Sequence, residues 1–130
     1  MTDRALNLLG LALRGGNLAV GEEPVAGACR AGTARLVLIA AGAAPNSADR
    51  AIRAAEKGGV PWANVPWDKE TLGGALGRSL CAVAALTDQG LAGALAGQLA
   101  QRDETLRPIA LALKEKKKSR AGKARRDVNL

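Results

Sequence analysis

Side chains able to do chemistry are sparse in this chain. It contains no histidine, so a Ser-His-Asp arrangement is ruled out, and Ser47, Ser79 and Ser119 have no evident base. Glu22 and Glu23 are adjacent carboxylates, but they sit where a helix should start. Compensation of the helix dipole accounts for them there, and general acid/base work has no further support. Cys29 and Cys81 stand alone among small apolar residues, with no C-x-x-C pair. They read as core thiols of a reducing compartment, not as zinc ligands. Gly73, Gly74 and Gly77 lack the Lys and Ser/Thr that a phosphate-cradling loop needs. No catalytic residue, cofactor or metal is expected, and an enzyme is disfavoured.

What remains is charge, and it is unevenly placed. Residues 1–101 carry nine Lys/Arg against eight Asp/Glu, whereas residues 102–130 carry ten against four, so +6 of the net +7 lies in the last segment. Lys114, Lys116, Lys117, Lys118, Arg120, Lys123, Arg125 and Arg126 form a polycation suited to RNA, or second to an acidic membrane surface. The plain alternative is a solubilising tail. Base stacking on an aromatic sheet is nearly excluded, because Trp62 and Trp67 are the only rings. The core must then be built from Leu, Val, Ile and Ala. With no signal-peptide pattern and no apolar run of membrane length, a cytoplasmic location is expected.

The elements that position these groups are organised around residues 21–40, GEEPVAGACRAGTARLVLIA. Gly21 can adopt a backbone angle closed to other residues, Glu22 and Glu23 complement a helix start, and Pro24 is tolerated in a first turn. Gly32 ends that helix, and Leu36 to Ala40 is a continuous apolar run that predicts a strand buried on both faces. Before it, Asp3 caps a helix with Leu6, Leu9 and Leu13 on one face, and Leu18 to Val20 adds a short edge strand. After it, Pro45 starts a helix with Asn46, Ser47 and Asp49 in its first turn and Arg50, Arg53 and Lys57 along one side. Val60 to Trp67 predicts a proline-flanked strand near an edge. Asp68 caps the next helix, Leu80 to Leu86 predicts a second apolar strand, and Asp88 caps a helix to about Gln101. Helical crossovers between successive strands then give a three-layer α/β/α sandwich with a mixed sheet of about four strands. The expected domain is residues 1–101. Residues 102–130 form a basic tail, with a short amphipathic helix at Leu106 to Leu113 that Pro108 interrupts and disorder from Ser119 onward when unbound.

Four stretches carry a resemblance. LLGLALRGGNLAVGEEPV (Leu8 to Val25), ARLVLIAAGAAPNSADR (Ala34 to Arg50), VPW (Val60 to Trp62) and ETLGGALGRSLCAVAALTDQGLA (Glu70 to Ala92) occur in order and cover most of residues 4–100. In these stretches the chain resembles the kink-turn RNA-binding family of ribosomal proteins L-seven-Ae and L-thirty-e, in its small bacterial Ylx-Q-type branch. The basic tail lies outside the resemblance.

The resemblance implies RNA binding at a corner where a G-x-N-E-x-x-K pattern docks on tandem sheared G·A pairs, with a second, apolar loop supporting a base turned out of the stack. Here Gly21 matches the Gly, but Glu23 stands for Asn, Pro24 for Glu and Gly27 for Lys. Two glutamates in a helix's first turn occupy an anion site from within and repel phosphate, so weak or altered kink-turn affinity is expected. Around Gly21, Glu22, Glu23 and Pro24, the resemblance adds Asn46 and Ser47, for which a cap or first-turn role is an equal alternative. It also adds Arg50. Arg14 and Arg78 are within reach of phosphate or are solvated surface charges, and Leu80 belongs to the apolar loop or begins the strand. The expected partner is RNA, ribosomal RNA first, with the ribosome or another ribonucleoprotein as the setting, a monomeric chain and no membrane. The alternative is a protein-protein adaptor in a ribonucleoprotein whose tail alone touches RNA.

Overall fold

The computed structural model describes residues 3–115. The expected tail contacts Lys116, Lys117, Lys118, Arg120, Lys123, Arg125 and Arg126, and the disorder expected from Ser119, lie outside the described residues. In chain order the elements are α1 (Arg4–Arg14), β1 (Leu18–Val20), α2 (Glu22–Ala31), β2 (Leu36–Ala41), α3 (Pro45–Lys57), β3 (Trp62–Asp68), α4 (Lys69–Ala75), β4 (Val83–Leu86) and α5 (Gln89–Arg102). A 3-10 turn (Glu104–Leu106) then leads into a helix over 107–115, α6.

Side-chain parity on β2 sets the layers. Val37 and Ile39 pack with Val25, Cys29, Ala51 and Ala55 of α2 and α3, while Leu36, Leu38 and Ala40 pack with Leu9, Leu72, Leu95 and Leu99 of α1, α4 and α5. Each residue from Leu36 to Ala40 is at most 3% exposed. Alternate residues of a strand point to opposite faces, so a run apolar at every position demands a helical layer on each side. The result is the expected three-layer α/β/α sandwich on one four-stranded mixed sheet.

The strand order is β1-β4-β2-β3, with β1 and β3 at the edges as expected. The β2-α3-β3 unit is parallel, but β4 enters antiparallel between β1 and β2, so the passage from β3 through α4 to β4 is not a parallel crossover. The strand expected from Leu80 begins at Val83. Cys81 turns its thiol inward to the Val83 carbonyl at 3.3 Å, and Leu80 is left outside the sheet. Both cysteines are buried and free, and burial raises the pKa of each thiol.

Two further expectations are corrected. The core is not purely aliphatic, because Trp67 is buried with Val65 against α1 and α4. Its indole N–H donates to Asp3 Oδ2 at 2.9 Å, and the Arg102 guanidinium lies over the ring, 5.8 Å from its centroid, and donates to the same carboxylate at 3.2 Å. Asp3 Oδ1 meanwhile caps α1 by accepting from the Ala5 and Leu6 amides. Pro108, for its part, does not interrupt the amphipathic segment. It lies in the first turn of α6, where a missing N–H costs nothing, and Ala110 and Leu113 join the core on the α5 side.

A close approach explains one glycine. A Cβ on Gly73 would lie 2.9 Å from the Leu80 amide nitrogen and Cα, so α4 can lie against the 78–80 loop only with glycine there.

Two outcomes follow. Asp3→Ala should lower the unfolding free energy by about 2 kcal/mol, since it removes a helix cap and strands a buried indole donor; urea unfolding followed by Trp67 fluorescence measures it. Partial burial works against the Asp3 charge, but the Trp67, Leu6 and Arg102 contacts outweigh it and hold the carboxyl below its ordinary range. Its contribution is therefore full above the unfolded pKa and fades as pH falls through the lowered folded value. Gly73→Ala should cost about 1 to 3 kcal/mol by overpacking, with exchange of the Cys81 amide, which donates to the Lys69 carbonyl, rising in the same samples.

Candidate nucleic-acid interface

One end of the sheet gathers three segments that are remote in sequence. Gly21, the N-cap of α2, sits at φ +100°, which only glycine takes without strain. That conformation lets its N–H donate to the Val83 carbonyl at 3.0 Å, so the start of α2 is tied to the start of β4. The Ala40 amide donates to the Ala82 carbonyl at 2.8 Å, and the Cys81 amide to the Lys69 carbonyl at 3.0 Å. The antiparallel entry of β4 therefore brings Ala82 and Val83, at the end of the loop that carries Arg78 and Leu80, beside Gly21 and the end of β2, while 78–80 lies against α4.

The residues expected at the corner are brought together to different degrees. Glu22, Glu23 and Pro24 are exposed in the first turn of α2, Asn46 and Ser47 are in the first turn of α3, and Arg50 follows one turn on. Arg78 is exposed in the adjoining loop, and Leu80 is 54% exposed beside it. This favours the loop role for Leu80 over a strand start. Arg14 is elsewhere. It ends α1, before the Leu18 end of β1 that pairs with Leu86, with its guanidinium beside Gly10. Lys114 is exposed in α6.

Of the cap or first-turn alternative for Asn46 and Ser47, the cap does not hold, because Ala44 is the N-cap of α3 and no side chain bonds there, whereas both do lie in the first turn. Ser47 Oγ instead donates to Glu22 Oε2 at 3.4 Å, and Arg50 Nε donates to Glu22 Oε1 at 2.7 Å. Sequence reasoning missed this link. It joins residues 28 apart, and no local pattern announces it. The hydrogen bond and charge of Arg50 hold the Glu22 carboxyl below its ordinary range, and Glu22 raises Arg50 in return. Glu22 is thus neutralised from α3. Among the described residues Glu23 makes no ion pair, so its carboxylate is the acceptor left facing solvent at the start of α2. A groove of about 360 Å³ between α2 and α3 runs past these groups, lined by Glu22, Glu23, Ala26, Arg50, Ala51 and Ala54.

The arrangement offers solvent a carboxylate acceptor at Glu23, a cation at Arg78 and an apolar side chain at Leu80. Among the described residues no cluster of His, Cys, Asp and Glu is able to hold a metal ion, and no helix is long and apolar enough to cross a membrane.

The ion pair is exposed on both sides, so its effect on stability should be small. A double-mutant cycle on Glu22→Gln and Arg50→Gln by urea unfolding should give a small favourable coupling at pH 7. The sign follows from the depressed Glu22 pKa: the coupling persists above the unfolded value and disappears as pH falls through the folded one.

Comparison with known proteins agrees with this fold. A search of curated protein sequences finds no match. Among solved structures, a Bacillus halodurans protein of unknown function superimposes with a TM-score of 0.70 at 28% identity, covering 75% of this chain and 98% of its own. A Giardia lamblia 15.5kD RNA binding protein shares the fold, with a TM-score of 0.59 at 24% identity over 82% of this chain and 92% of its own. A family model matches residues 3–95, most of the chain and all three segments of the corner, and the protein therefore belongs to the ribosomal protein L7Ae/L30e/S12e/Gadd45 family.

Proposed function

We propose that the protein is a non-catalytic, cytoplasmic RNA-binding protein that acts on or with the ribosome and recognises kink-turn-like RNA with altered specificity. Membership of a ribosomal protein family and the likeness to an RNA-binding protein of the same fold support RNA as the partner. The observation that carries the finer reading is the joining at one end of the sheet of Gly21–Pro24, Ser47 and Arg50, and Ala82–Val83, where the loop bearing Arg78 and the exposed Leu80 ends.

The roles follow from the chemistry. Two bare glutamates at a helix start would repel phosphate, but Arg50 offsets the charge of Glu22, leaving the positive end of α2 opposed by Glu23 alone. Glu23 accepts hydrogen bonds from a guanine edge, since an ionised carboxylate has only acceptor positions and guanine offers N–H donors. Arg78 contacts phosphate, and Leu80 covers the face of an extruded base. The basic residues beyond Glu115 add sequence-independent attraction that weakens with salt.

The decisive test uses the full chain with Lys116, Lys117, Lys118, Arg120, Lys123, Arg125 and Arg126 changed to Gln, which keeps α6 intact. At about 150 mM salt this protein should bind a kink-turn RNA at least ten-fold more tightly than the same RNA with its G·A pairs replaced, about 1.4 kcal/mol. Glu23→Ala should remove most of that preference and Leu80→Ala part of it. Equal binding of both RNAs by the unaltered chain, lost when the tail is neutralised, would sink the proposal in favour of the adaptor reading.

A further inference from the structure

The far end of the sheet carries a second concentration of charge. Gly58, which follows α3, lies so close to the end of α2 that a Cβ there would meet the Cys29 carbonyl at 2.9 Å. Two cavities adjoin at this contact. One, of about 410 Å³, is lined by Ala26, Cys29, Arg30, Ala54, Lys57 and Gly58. The other, of about 510 Å³, includes Arg35 in its wall and is bounded by Leu113 of α6, the residue before Lys114. Among the described residues, three cations therefore surround Gly58 and no carboxylate lines either cavity.

Charge compensation of helix ends accounts for only part of this. Arg30 and Lys57 fall in the last turns of α2 and α3, where cations are favourable. Arg35 lies on neither helix. One of its donors reaches the Gly32 carbonyl at 3.1 Å, and a guanidinium carries five. None of the three makes an ion pair among the described residues. The corner lies at the other end of β2 and α3, about 20 Å away by the rise of a 13-residue helix, with Arg50 and Arg53 on the same α3 ridge as Lys57.

We propose that Arg30, Arg35 and Lys57 form a second RNA contact, which holds the phosphate backbone of a stem extending from the corner along the α2–α3 face. It rests on the RNA-binding reading above. The occupant is a polyanion because the charged side chains described around Gly58 are all cations, and duplex because duplex RNA is recognised by backbone and shape rather than by base edges. Each neutralised phosphate adds up to about 0.9 to the log-log salt slope.

The test compares the full-length protein with its Arg30→Gln/Arg35→Gln/Lys57→Gln variant. The probes are a kink-turn RNA with a short stem and the same RNA extended by one helical turn, titrated over a range of salt. The unaltered chain should bind the extended RNA several-fold more tightly. The triple variant should lose that gain, with a salt slope smaller by about 2, while keeping its preference for intact G·A pairs. Lys57→Gln alone, at an exposed position, should lower the slope by just under 1. A triple variant with unchanged slope and stem-length response but a lower melting temperature would overturn the proposal, leaving helix-end compensation. Equal weakening on both RNAs would also overturn it. If the unaltered chain ignores the G·A pairs yet still gains from the longer stem, and the triple variant loses that gain, this contact stands and the corner reading fails.

Discussion

The fold depends on a strand with no solvent-facing side. Leu36 to Ala40 is apolar at every position, so β2 is stable only between two layers, and its parity decides which side chains meet which helices. Because its backbone groups also need partners on both edges, β2 takes β3 on one side and β4 on the other. The parallel neighbour follows directly through α3. The antiparallel neighbour arrives last in the chain and closes the central gap, and that late insertion delivers the end of the 78–82 loop to Gly21.

The corner is thus a by-product of satisfying β2. Its geometry is held by backbone hydrogen bonds, Gly21 to Val83 and Ala40 to Ala82, and not by the side chains that would read a ligand. Such a frame tolerates change at the surface of α2's first turns. Glu23, Pro24 and Gly27, where the resemblance implies Asn, Glu and Lys, leave the frame undisturbed, since none of them takes part in those backbone bonds. Charge is then rebalanced across helices, as Arg50 and Ser47 of α3 engage Glu22 of α2. A carboxylate at a helix start is favourable to the helix and unfavourable to phosphate. The pairing keeps the first effect while reducing the second.

The opposite helical layer is fastened differently. Asp3 joins the start of α1, the end of β3 and the end of α5 through one carboxylate, which explains how a chain with two aromatic residues places one of them in its core. The 107–115 helix extends the same layer, so the packed unit continues beyond the point where the sequence turns basic. The helix ends bearing Arg30 and Lys57 lie toward one end of the sandwich, and the Gly21 corner occupies the other.

Much was legible from residue order. Asp3, Asp68 and Asp88 announced helix starts, Gly21 and Gly32 bracketed α2, and the apolar run of β2 called for a layered α/β/α domain, because capping, glycine freedom and double burial are local properties. The family's motif stretches pointed to the corner and to most of its residues. What the sequence did not contain were the relations between distant segments. Leu80-Cys81-Ala82 reads like strand because apolar character alone does not separate a strand from the loop that leads into it. Pro108 reads as a break because proline ends one helix and begins another with equal ease. Neither the Glu22–Arg50 pair nor the Trp67–Asp3 bond has a local signature, and the direction of α1 sets Arg14 beside Gly10 and the end of α4. Local chemistry determined the elements. The antiparallel entry of β4 and the packing of helix ends decided which of their side chains meet, because those contacts arise only once the sheet order is set.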